Sequence, residues 1–66
     1  MDVKYPEITV SLVGVDGNAF SILGQVRKAM RQVGVPAEQI KEFMTEATSG
    51  DYDSLLRTVM EWVNVA

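Results

Sequence analysis

One segment of this chain reads as a β-strand, and that segment constrains everything else. From Glu7 to Val13, Ile8, Val10 and Leu12 alternate with Thr9, Ser11 and Val13, and β-branched side chains dominate. Pro6 stands just before the run, where a missing N–H does least harm, and Gly14 and the Asp16-Gly17 pair end it. An isolated strand has two unpaired edges and is not stable. Two partners are available. The C-terminal tail from about Trp62 can pair with it inside one chain, or the same strand of a second copy can pair across a two-fold axis. The sequence leaves both open.

The remainder reads as three helices. Ala19, Ile22, Leu23, Val26, Met30 and Val33 follow the three-four spacing of one helical face, with Ser21, Gln25, Lys28 and Gln32 opposite. Asn18 suits the N-cap and Gly34 the left-handed position after the helix, with Val35 folding back on Met30. The Asp16-Gly17 pair is also a hairpin signal, which would make Ala19 to Leu23 a strand, but the helical spacing is preferred. Pro36 opens a second helix at its first position, with Ile40, Phe43, Met44 and Ala47 inward and Gly50 closing it. Asp51 caps a third, whose buried stripe is Tyr52, Leu55, Leu56, Val59, Trp62 and Val63.

Composition sets the exclusions. A chain of 66 residues is one domain at most. At that size only ~60% of the unfolded surface is buried. With no cysteine and no histidine there is no disulfide, no imidazole base, no thiolate nucleophile and no His or Cys metal site. Stability must come from packing, helped by association. A net charge of -3 opposes a broad nucleic-acid footprint. The apolar runs are too short to span a membrane, and the start of the chain lacks a basic-then-apolar leader pattern, so the expected location is the cytoplasm.

Motifs with chemistry are weak. Leu12 to Asn18 has the strand, glycine turn and helix start of a phosphate-binding loop, but its spacing matches neither G-x-G-x-x-G nor the Walker pattern. Asp16-x-Asn18 and Asp51-x-Asp53 hint at calcium ligands, yet lack the rest of an EF-hand loop. Helix capping explains both more simply. Ser11, Ser21, Ser49 and Ser54 have no histidine partner. No catalytic residue, cofactor or metal is expected.

The charge layout says more. Arg27, Lys28 and Arg31 give residues 18–34 a local sum of +3, which leaves -6 for the rest. Glu38, Glu42 and Glu46 stand at successive i, i+4 positions and form one acidic ridge. The simpler expectation is that the two ridges face each other across the helix corner or are solvated. The functional one is an acidic docking face for a basic partner. Trp62 and Tyr52 suit interface anchors, but core packing explains both better.

The run Leu12-Val13-Gly14-Val15-Asp16-Gly17-Asn18-Ala19-Phe20 carries a resemblance, as does Ala47 to Leu56 with Trp62-Val63. Together they resemble a group of small uncharacterised proteins of bacterial, plasmid and phage genomes, over most of the chain. That resemblance implies no activity and no functional residues. Residues 26–63 are also similar to the three-helix ubiquitin-associated fold, in the Gly34-Val35 corner, the Ala47-Thr48-x-Gly50-Asp51 turn and the terminal Glu61-Trp62-Val63. The spacing differs and a strand is added, so only an analogy of fold is implied.

The expected architecture is α+β in the order β-α-α-α within a single domain, 1–66. The strand covers about 7–13 and the helices about 18–33, 36–48 and 52–63, with a short C-terminal strand possible. The expected function is a small non-catalytic interaction or regulatory module that associates with itself through the strand. Interface candidates are Ile8, Thr9, Val10, Ser11, Leu12 and Trp62, and the acidic face is Glu38, Glu42 and Glu46. The expected partners are a second copy and an unidentified protein, without membrane. The alternatives are a ribbon-helix-helix-like nucleic-acid regulator, which Glu7 and the overall charge oppose, and a small ligand binder or hydrolase using carboxylates.

Overall fold

A computed structural model describes residues 3–12 and 17–66. Strand β1 (Tyr5–Val10) is followed by helices α1 (Ala19–Gln32), α2 (Ala37–Ala47) and α3 (Tyr52–Trp62), and a short strand β2 (Val63–Val65). The fold is α+β. β1 and β2 form a two-stranded parallel sheet, so the C-terminal tail is the intrachain partner of the strand. The core joins Ile8 and Val10 of the strand to Val26 and Met30 of α1, Phe43 of α2, and Val59 and Trp62 of α3.

The helix ends are built by local chemistry. The Asn18 side chain accepts from the Ser21 amide at 2.8 Å, and Asp51 accepts from the Ser54 amide at 2.9 Å. At the end of α1, Gly34 takes φ +83°. Its amide donates to the Arg31 carbonyl at 3.1 Å and the Val35 amide to the Met30 carbonyl at 3.0 Å. That pair of bonds is the Schellman arrangement, and only glycine enters it without strain.

Several expectations shift. β1 starts at Tyr5 and ends at Val10, rather than covering 7–13. The cause is the partner. The Lys4 amide already donates to the Glu61 carbonyl, and the Ala66 amide closes the ladder on the Val10 carbonyl. The last register pair is Val10 with Val65, and β2 does not reach Ser11 and Leu12. Val13 and the Gly14 and Asp16 positions lie outside the described residues, but Ala19 to Leu23 is helix and not a hairpin strand. Pro6 lies inside β1, where the register slips between Tyr5 and Thr9. Asn64 fills the gap there, its Nδ2 donating to the Pro6 carbonyl at 2.7 Å.

Pro36 is the N-cap of α2 rather than its first helical residue. Gly50 does not supply a left-handed cap, because α2 ends at Ala47 with Thr48 as its cap. A Cβ at Gly50 would instead lie 2.9 Å from the Ser54 side chain, so glycine is kept by the approach of α3. Val33 and Tyr52, expected inward, are 51% and 44% exposed. Val33 is the C-cap of α1, where the face has turned outward, and Tyr52 opens α3 and sends its hydroxyl to the Gly17 carbonyl at 2.5 Å. Thr58 takes a buried place on α3 because its hydroxyl donates to the Ser54 carbonyl at 2.9 Å.

Candidate functional site

The two edges of β1 differ. The Val10 carbonyl accepts from Ala66, the Pro6 carbonyl accepts from Asn64, and the Lys4 amide donates to Glu61. Even-numbered residues therefore aim their backbone groups at β2. Because these groups alternate along a strand, the Glu7 amide and the backbone groups of Thr9 aim the other way, whereas Tyr5, before the register shift, pairs with Val63 of β2. Among the described residues, no strand pairs with that second edge. Side chains alternate too. Ile8 and Val10 are buried, while Glu7 and Thr9 are exposed. Beside the open edge lies a polar cleft between β1 and α1, lined by Thr9, Val10 and Ser11 on one wall and by Gln25, Lys28, Ala29 and Gln32 on the other.

The six interface candidates thus divide. Thr9 and Ser11 are exposed along the open edge, Leu12 is half-buried beyond it, and Ile8 and Val10 hold the strand to the helices. Trp62 is occupied inside the chain. Its ring stacks on Tyr5 with centroids 6.1 Å apart and meets Phe43 edge-on at 5.5 Å. The Lys4 ammonium sits 4.0 Å over the ring, and Nε1 faces the Glu46 carboxylate at 3.4 Å. This corner pins β1 to the junction of α3 and β2.

Glu38, Glu42 and Glu46 lie together on the exposed side of α2, around a shallow hollow shared with Lys41, Thr45 and Ser49. Three cations stand on α1, where Arg27, Lys28 and Arg31, with the neutral Gln32, surround a hollow at Gly24. The two ridges do not face each other inside the chain. The groove between the helices is lined by Arg27 and Arg31 from α1 and by Ala37, Ile40, Lys41 and Met44 from α2. Lys41 stands where a glutamate would have been needed.

The titration of Asp51 departs from its ordinary value. The Ser54 backbone amide, then the Ser54 side chain, hold its carboxyl below the usual 3.8. That is a capping effect. Among the described residues, no three acidic side chains converge as a metal site would need, and no helix is long and apolar enough to cross a membrane.

Sequence reasoning passed over Phe20 and Gly24. Phe20 is 88% exposed, the most open of the large apolar side chains described. The signal was present, because the spacing that defines the buried face of α1 leaves Phe20 and Gly24 off it. No family model matches the chain, and no curated protein or solved structure matches it.

Proposed function

We propose that this protein is a small non-catalytic interaction module that pairs with a second copy through the open edge of β1. Thr9 carries the proposal. Its side chain is exposed and its backbone groups point away from β2, so an added strand costs the chain no bond it already makes. The thin core adds to the case, since a chain of 66 residues without disulfides gains most from surface buried by association. Nothing catalytic is called for, as no serine has a histidine beside it in a chain that has none. The assumed setting is the cytoplasm, in line with the absence of cysteine.

Hydrogen exchange across a concentration series tests the pairing. The Glu7 and Thr9 amides should gain protection as concentration rises into the high micromolar range. If both exchange at the unprotected rate at every concentration, the proposal fails.

A further inference from the structure

Phe20, Gly24, Arg27 and Arg31 stand at i, i+4, i+7 and i+11 of α1, and so form one stripe. At the α-helical rise it is about 16 Å long. The stripe is not explained by the packing of its own chain. Phe20 is almost wholly exposed. Gly24 lies in the helix interior, where glycine weakens a helix, yet a methyl group there would meet nothing within 4 Å. Glycine at such a place leaves room for something outside the chain to approach closely.

A second stripe matches it. Glu38, Glu42 and Thr45 of α2, with Ser49 just beyond, are exposed and also stand at i, i+4, i+7 and i+11. Run antiparallel, the two rows share the same steps of four, three and four. Arg31 then falls on Glu38, Arg27 on Glu42, Gly24 on Thr45 and Phe20 on Ser49. The groove that separates α1 from α2 keeps these rows apart within one chain, with Lys41 against the arginines.

We infer that the cationic row of α1 docks antiparallel on the acidic row of α2 from a second copy. Opposite charges set the register, and Gly24 admits the close approach. This contact is separate from strand pairing at β1 and uses different residues. Lys28 and Lys41 both border it and oppose one another, so they limit its strength.

A charge-swap experiment tests the inference. All variants carry Thr9→Pro, so that strand pairing is blocked, and circular dichroism checks that each is folded. In low salt, the Thr9→Pro chain should self-associate by light scattering. Adding Arg27→Glu with Arg31→Glu should weaken that at least about tenfold, and so should Glu38→Lys with Glu42→Lys. Mixing the two swapped chains should restore association. The inference is overturned if the Thr9→Pro chain stays monomeric at high concentration, or if the mixture behaves as its separate parts. Either result leaves the amide-exchange test at β1 untouched, so the two contacts succeed or fail apart.

Discussion

Trp62 and Phe20 are both large aromatic side chains on amphipathic helices, and the fold treats them in opposite ways. Trp62 is 1% exposed and Phe20 is 88% exposed. Trp62 stands where α3 hands over to β2, so Tyr5, Phe43, Lys4 and Glu46 all reach it. Phe20 stands at the start of α1, to one side of the face that packs into the core. The lesson is that aromatic content does not locate the core. Position relative to the sheet does.

The comparison breaks most sharply at Trp62. Trp62→Ala should cost about 3–5 kcal/mol, comparable to the whole stability expected of a chain this size. Urea denaturation should find it largely unfolded at 25 °C. Phe20→Ala should change stability by no more than about 0.5 kcal/mol, since an exposed side chain leaves no cavity. A large loss there would mean that Phe20 packs on the chain after all.

Two glycines sharpen the contrast on a smaller scale. Gly34→Ala forces a side chain into φ +83° and should lower stability by about 1 kcal/mol. Gly24→Ala should raise it by roughly 0.5–1 kcal/mol, because the space is open and alanine favours the helix. Thermal melts of the pair should move in opposite directions. The smallest effect is expected at Asp51. Its folded-state carboxyl titrates below the unfolded value near 3.8, so its contribution is complete above that pH and is lost as pH falls through the lower folded value. Asp51→Asn should remove that part of the acid dependence, read as a flatter melting temperature below about pH 4.

Much of the helical frame was legible because it is local. Asn18, Gly34 and Asp51 each announce a helix end through bonds to residues no more than a few positions away. The ends of β1 were not legible, because they are set by a tail 58 residues away. Lys4 and Tyr5 join the sheet only because Glu61 and Trp62 are there to receive them. The candidate surfaces divide in the same way. Thr9 was readable as an outward strand residue by its alternation. Which edge of the strand it leaves open depends on where Ala66 arrives. The glutamate row was visible as an i, i+4 ridge, but that Lys41 rather than a glutamate faces Arg27 and Arg31 required the packing of α1 on α2.

The pairing of β1 with β2 has a consequence in time. Asn64 reaches the Pro6 carbonyl across a separation of 58 residues. Bringing such distant segments together costs about 3–4 kcal/mol of chain entropy before any sheet bond forms. The three helices need no such search, since their bonds and caps are local. They should therefore form early, with the sheet as the last step. During synthesis from the ribosome, β1 is made before β2 and waits for all three helices to be made before its partner emerges. Throughout that interval both of its edges are open, and the nascent chain is then most exposed to wrong pairing.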